Sequence, residues 1–496
     1  MRGTIRSFGL ATCAVVGALA LGARAGEEAG TKAKPAAVAR QLETRGKPWT
    51  GDFDGILERR VVRAILPYSR SLYFNDKGRQ TGISADGIRG FEKWLNEKYA
   101  KQLGNRPITL LIIPATRERL LPGVVDGVAD VAVGNITVTD ERAKSVDFIF
   151  PPDQKPVKKI VVTGPGSPPI ATTADLAGTT VHARSVSSAN EGLLVLNERF
   201  RQEGRPPIRI VHVPDALEDE DLLEMVNAGI LPAVVVDDWM AAMWKGVLPK
   251  IQVNANAIVR DGDHIGWAIR KGSPGLQAEI LAYMKEQGKH KSVQERLQKY
   301  ARQVRRLKDP TRTAEWKKFE ETFKLFQKYG QKYGFDPLML AAQGYQESQL
   351  NQEAVSHVGA IGVMQLMPTT GAELQVGDVR VLESNIHAGA KYMDRLMARS
   401  FPDAKFDDLN RTLFAFGSYN AGPGNIQKMR DAARKAGLDP DVWFNNVEIV
   451  TARKIGAETT TYVRNIYKYY VAYKLLLESQ ETARKAREQV APGKGG

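Results

Sequence analysis

Glu347 and Ser348 open the richest chemical stretch of the chain, GYQESQLNQEAVSHVGAIGVMQLMP, Gly344 to Pro368. A carboxyl set among glycines, amides and methionines can act as a general acid if its surroundings keep it protonated near neutral pH. The residues before it supply such surroundings. Asp336-Pro337 is a helix start, since Asp caps well and Pro suits the first helical position. The spacing predicts a helix from there to about Gln349, with Glu347 in its last turn. The negative end of a helix disfavours a further negative charge, and packing against Met364 or Tyr419 would add desolvation. Both effects raise a carboxyl pKa. The competing reading is a solvated helix-end glutamate. Glu353, in a polar run, reads as a solvated loop or helix-start acid. Met364 and Met367 read by themselves as core methionines. Tyr462, Tyr467, Tyr469 and Tyr470 read as core or snorkelling residues of a final helix.

Other chemistries find little support. Ser348 has no His/Asp pattern near it, so a serine hydrolase is disfavoured. The six histidines show no ligand spacing, and no glycine-rich phosphate loop is present. Neither a metal nor a cofactor is expected.

The elements that would position Glu347 divide the chain in two. With 496 residues, two or three domains are expected. From Arg59 onward, short apolar runs (RVVRAILP, PITLLIIP, TTVHARS, RIVHVP, LPAVVVDD, HIGWAIR) alternate with amphipathic segments. This pattern predicts an α/β domain with a largely parallel sheet. Past Lys308 the strand pattern stops, and Asp336 to Ser479 reads as helices joined by Gly/Pro/Asn turns. The expected layout is a signal peptide over 1–25, a tether over 26–55, an α/β module over 56–305 and a linker helix over 306–324. An all-α catalytic domain over 325–480 and a polar tail over 481–496 complete it.

The N-terminus carries Arg2 and Arg6, an apolar run from Phe8 to Leu21, and Ala23-Arg24-Ala25. That is the pattern of a secretory signal cut after Ala25, with an uncleaved anchor as the alternative. Cys13 is the only cysteine and lies in this signal, in a poor lipobox, so the exported chain is expected to hold no disulfide. The formal net charge of +14 favours an anionic envelope or polymer. No finger, RNP or basic-zipper pattern accompanies it, so no nucleic-acid partner is expected.

Four segments in order carry a resemblance: Glu347-Ser348, AVSHVGAIGVMQLMP (Ala354 to Pro368), SYNAGPGNI (Ser418 to Ile426) and ETTTYV (Glu458 to Val463). Together they resemble the signatures of the family-1 lytic transglycosylases, whose SLT fold is similar to goose-type lysozyme. The resemblance implies an all-α lysozyme-like domain with Glu347 as the single catalytic acid. It implies Ser356 at the substrate N-acetyl group, and Ser348, Gly362, Met364 and Gln365 along the saccharide groove. Tyr419 and Asn420 would stand beside the acid, with Glu458 and Tyr462 in the last signature. Glu458 is either a base for water or a structural hydrogen-bonding group, and family precedent favours the second. Departures from the family pattern are Leu350, Gln352, Val363 and Ser418, and none removes a charged or hydrogen-bonding group. The implied reaction cuts the β-1,4 bond between MurNAc and GlcNAc of peptidoglycan without water and leaves 1,6-anhydroMurNAc ends. The alternatives are a hydrolytic muramidase on the same fold, a non-catalytic peptidoglycan- or solute-binding protein, and an amino-acid receptor.

GVVDGVADVAVGNITVTDERAKSVDFIFP and AGILPAVVVDDWMA resemble family-3 extracellular solute-binding proteins, which implies an α/β periplasmic-binding-protein-like module. By that match Arg142 would take a ligand carboxylate and Asp237 a ligand amino group, the ligand being a muropeptide or amino-acid-like molecule. The plain alternative is a surface ion pair or capping residues. The two modules together resemble the membrane-bound lytic transglycosylase F family. That implies a periplasmic protein peripheral to the outer membrane, with a regulatory α/β module.

Overall fold

The computed structural model describes residues 48–76, 79–287 and 313–490. The expected signal peptide, the tether up to residue 47 and the first part of the expected linker lie outside the described residues. Residues 48–55, assigned by composition to the tether, are already folded. Trp49 lies under the Arg59 guanidinium at 3.6 Å, and Phe53 is buried at the head of the Phe53–Arg59 helix. One aromatic ring outweighs a polar, aperiodic composition here.

The α/β half has two lobes, each with a five-stranded sheet. In the first, the order is β4-β1-β5-β12-β6, with β1 Val61–Pro67, β4 Thr109–Ala115, β5 Val131–Thr137, β6 Val146–Ile149 and β12 Ile265–Arg270. In the second, the order is β11-β7-β10-β8-β9, with β7 Val157–Thr163, β8 Thr180–Arg184, β9 Arg209–Val213, β10 Ala233–Asp237 and β11 Gln252–Asp263. A small hairpin, β2 Phe74–Asp76 and β3 Arg79–Thr81, stands apart. The apolar runs predicted as strands are strands. The sheets, however, are mixed rather than largely parallel. The chain enters the second lobe through β7 and returns to the first through β12, and both run antiparallel to their neighbours. Those two crossings reverse direction. β7 and β11 were not among the expected strands; β11 alternates small and polar residues in its first half and has little apolar signal.

The other half is helical. The Thr313–Tyr333 helix straddles the expected linker boundary, and both Phe319 and Phe326 on it are buried in the core. The helices Pro337–Ser348, Leu382–Ser400 and Asp408–Ala421 pack with it around Leu340, Met393, Phe414 and Trp443. The last helix, Ala457–Val490, runs into the stretch read as a polar tail. Buried apolar side chains of the second lobe and of the helical half form one continuous cluster.

Candidate active site

The Pro337–Ser348 helix begins as its sequence predicts. Asp336 accepts from the Leu338 N–H at 2.8 Å, and Pro337 occupies the first turn. The helix stops at Gln349, which adopts a left-handed backbone with φ 58°. Its residues Met339 to Tyr345 are all buried, so it is clasped on every side and fixes Glu347 rigidly in its final turn. The Tyr462 hydroxyl, from the Ala457–Val490 helix, donates to Glu347 Oε1 at 2.5 Å. Burial pushes the Glu347 carboxyl up to about 7, and the Tyr462 bond opposes only part of that rise. Tyr419 is held well above its ordinary range by burial first and by Glu347 second, which places the phenol and the carboxyl within each other's field.

The segment after the helix is tied into a compact loop. Isolated bridges join Val355 to Ile361 and Ile361 to Leu366. The Ser356 hydroxyl accepts from Ala360 N–H at 2.9 Å. Gln365, at φ 46°, donates to the carbonyls of Ala354 and Gly362. Gly362 has φ 80°, and a Cβ there would lie 2.4 Å from Asn385 Nδ2. Asn385 is fully buried and is the centre of the loop. It accepts from Met364 N–H at 2.8 Å and donates to Ile361 and Val379 carbonyls at 2.9 Å. Gln352 adds bonds to the carbonyls of Val379 and Arg380. The Tyr419 hydroxyl donates to the Met364 carbonyl at 2.7 Å, which ties the loop to the Asp408–Ala421 helix.

These contacts change the parts assigned to three residues. The Ser348 hydroxyl donates to Val363 carbonyl at 3.0 Å and accepts from Asn351 N–H, so it ties the loop to the helix and is not left for a sugar. Met364 is 1% exposed and packs against Gly389, so its side chain lies beneath the groove. Glu458 is exposed in the first turn of its helix and has no hydrogen-bond partner among the described residues, so it is not the structural acid expected. That part belongs to Glu448, fully buried and held by Arg464 at 2.9 Å. Asn420 is half-buried at the end of the Asp408–Ala421 helix, and Glu353 is exposed. Sequence reasoning missed Asn385, Glu448 and Gln343. Of these only Gln343 left a signal, a lone amide four residues before Glu347 on the same helix face.

Between the lobes of the α/β half lies a cavity of about 240 Å³. Arg117, Arg142, Lys159 and Arg184 line it, with Glu118 and Asp219. Arg117 and Arg184 are committed to Glu218 and Asp219. Arg142 donates to Thr137 carbonyl, and its nearest acid, Glu191, is 3.5 Å away and half-exposed. Asp237 does not lie free for a ligand amino group. It is 1% exposed, pairs with Lys159 at 2.5 Å and accepts from Asn135 at 2.7 Å. Lys159 and Asp237 face each other across β7 and β10, which is why they meet.

Comparison with known proteins follows this division. Residues 64–303 match the family of bacterial extracellular solute-binding proteins, family 3, and residues 324–441 match the transglycosylase SLT domain. A relative in Desulfosudis oleivorans, named membrane-bound lytic murein transglycosylase F, is 29% identical over 402 residues, covering 77% of this chain and 84% of its own. Proteins of the same name in Ectopseudomonas mendocina and Vibrio cholerae are each 27% identical, over 82% and 81% of this chain and 83% and 78% of theirs. Among solved structures, an amino acid ABC transporter substrate-binding protein of Streptococcus pneumoniae bound to L-arginine is similar at 20% identity. It covers 50% of this chain and 99% of its own, with a TM-score of 0.39.

Proposed function

We propose, for a chain that belongs to the membrane-bound lytic murein transglycosylase F family, how the site performs lytic cleavage of peptidoglycan. The chain is a lytic murein transglycosylase, an enzyme that joins an SLT domain to a solute-binding module. Glu347, protonated near neutral pH, gives its proton to the oxygen of the β-1,4 bond between MurNAc and GlcNAc. The neighbouring N-acetyl carbonyl stabilises the positive anomeric carbon, and the Ser356 hydroxyl, held at the turn by Ala360, orients that group. Glu347, now a carboxylate, takes the proton of the sugar's C6 hydroxyl, whose oxygen closes onto C1. The products are a free GlcNAc 4-hydroxyl end and a 1,6-anhydroMurNAc end, and no water is consumed. Most glycosidases need two carboxylates. Here the substrate supplies the second function, and acid–base assistance of this kind gives roughly 10²–10⁴-fold. Gly362 and Gln365 shape the groove, Tyr419, Asn420 and Tyr462 flank the acid, and Glu458 sits at the rim.

The observation that carries this reading is Glu347 itself: a carboxyl pushed up to about 7 by burial whose hydrogen-bond partner is a phenol and not a cation. In the α/β module, Arg142 receives a carboxylate of an anionic, muropeptide-like ligand, and occupancy of that cavity regulates cleavage. The protein works in the periplasm, peripheral to the outer membrane. Relatives are named membrane-bound, and among the described residues no helix is long and apolar enough to cross a membrane. The test is digestion of purified sacculi by the native protein and by Glu347→Gln, with products weighed. Anhydro ends from the native enzyme alone are expected. Reducing ends would make it a hydrolase, and full digestion by the variant would end the reading.

A further inference from the structure

Behind the Glu347–Tyr462 pair stands a residue outside every motif. Gln343 precedes Glu347 by four positions on the Pro337–Ser348 helix, so the two side chains share a face. It is completely buried, and its amide nitrogen reaches the Tyr462 hydroxyl at 3.4 Å. Its other amide atom, Oε1, is buried without a hydrogen-bond partner among the described residues. A half-satisfied buried amide weakens folding, so stability does not account for it.

Proton accounting gives the amide a direction. Tyr462 has one hydroxyl proton, and at 2.5 Å it goes to Oε1 of Glu347. The hydroxyl oxygen is then an acceptor, and the group placed to donate to it is the Gln343 N–H. Turned round, the amide would present Oε1, claim the phenolic proton and strip the carboxylate of its donor. We propose that Gln343 is a positioning residue: its N–H directs the Tyr462 proton onto Oε1 of Glu347 and leaves Oε2 as the oxygen that releases and regains the acid proton. The proposal rests on Glu347 being the acid.

The titratable groups that face Glu347 come from three helices. They are Tyr462 of Ala457–Val490 and Tyr419 of Asp408–Ala421, with Tyr392 of Leu382–Ser400 edge-on behind Tyr419. All are neutral phenols in the working pH range. With no cation among the described residues that shift Glu347, a chain of donors is the means by which the chain tunes the acid. A donor behind a donor strengthens both bonds.

Gln343→Met tests this, because it keeps the length and removes both polar atoms. Its melting temperature should equal or exceed the native value, since the orphan oxygen is gone. Tyr462 then donates less strongly, the carboxylate is less stabilised, and the alkaline limb of the pH–rate profile for anhydro-product release moves up by roughly a few tenths of a pH unit. Tyr462→Phe should move the limb further. Adding Gln343→Met to Tyr462→Phe should move it no more, because Gln343 acts only through the hydroxyl. The Glu347 carboxyl stretch in infrared difference spectra, with Glu347→Gln as the blank, follows the same titration without turnover. A limb and band that stay in place in Gln343→Met overturn the proposal, as does an equal shift in the Tyr462→Phe background. If Glu347→Gln digests sacculi at the native rate, the acid assignment fails instead, and the infrared titration still reports on Gln343.

Discussion

Replacing Glu347 with Gln should make the protein more stable, and only at high pH. The variant keeps the side-chain length and an acceptor for Tyr462, and it never ionises. In the native protein burial raises the Glu347 carboxyl from 4.5 to about 7. The sign follows from linkage. Below pH 4.5 the group is neutral in both folded and unfolded chains and costs nothing. Between 4.5 and 7 the unfolded chain ionises while the fold keeps its proton, so native stability falls as pH rises. Above 7 the deficit is constant. At about 1.4 kcal/mol per pKa unit, a rise of that size sets a ceiling of about 3.5 kcal/mol. Solvent reaches part of the residue, so a gain of about 1–3 kcal/mol is expected at pH 8, and close to none at pH 4. For a domain of this size that is about 2–12 °C in melting temperature. Urea unfolding of both proteins at pH 4, 5.5, 7 and 8.5 measures it, and subtraction at each pH cancels every other titration. A gain of equal size at pH 4 and 8.5, or none at 8.5, would refute the claim that burial holds this proton.

Three more outcomes follow from the packing. Lys468→Met takes from Asp221 one of its three cations and from Glu224 one of its two, both met at 2.7 Å in a buried site, and should cost up to roughly 3–5 kcal/mol, read by urea unfolding. Burial works against the Asp221 charge, but Lys468, Arg464 and Arg70 outweigh it and hold that carboxyl well below its usual range, so the cluster's support is lost on acidification below about pH 4. Gly362→Ala drives a methyl against Asn385 at a left-handed backbone position and should cost roughly 1–3 kcal/mol, with sacculus digestion falling as the Met364–Asn385 bond breaks. Ser348→Ala should lower stability by about 1–2 kcal/mol by calorimetry while the released muropeptides keep their anhydro ends, because its hydroxyl serves the loop.

The elements that local chemistry governs were legible. The Asp336-Pro337 start and the apolar strand runs come from short-range propensity and pattern. Spacing set Glu347 in the last turn of its helix and resemblance set Tyr419 beside it, whereas Tyr462, read by itself as a core or snorkelling residue, is the one whose hydroxyl reaches the carboxyl. What failed depends on which strand or helix lies next to which. Asp237 is an acid at a strand end in the sequence. Only the β7–β10 register shows that Lys159 faces it and removes it from the ligand's reach. Glu458 and Glu448 are ten residues apart and alike in type, yet one points to solvent and the other to Arg464. Asn385 looks like any polar residue near a helix start until Gly362 leaves room for its amide to brace the loop.

One helix joins the catalytic site to the seam between the two halves of the chain. Tyr462, Arg464 and Lys468 all lie on Ala457–Val490. Tyr462 holds the acid, Arg464 holds Glu448, Asp221 and the Ala216 carbonyl, and Lys468 holds Asp221 and Glu224. Arg70 of the first lobe meets the same two acids. The run Glu218 to Asp221 faces two ways, with Glu218 and Asp219 towards the cavity arginines and Asp221 towards the helical half. The seam thus gathers the carboxyls of Glu220, Asp221, Glu224 and Glu448 against Arg70, Arg464 and Lys468. Glu220 is the surplus acid. Burial first, then Asp221 and Glu218, raise its pKa, while its carboxyl accepts from the Ser69 hydroxyl and the Ser71 N–H. An apolar seam of the same area would be at least as stable, since burying ions gains little. Charges that must each meet a stated partner permit one registration, and that registration fixes the helix from which Tyr462 reaches Glu347.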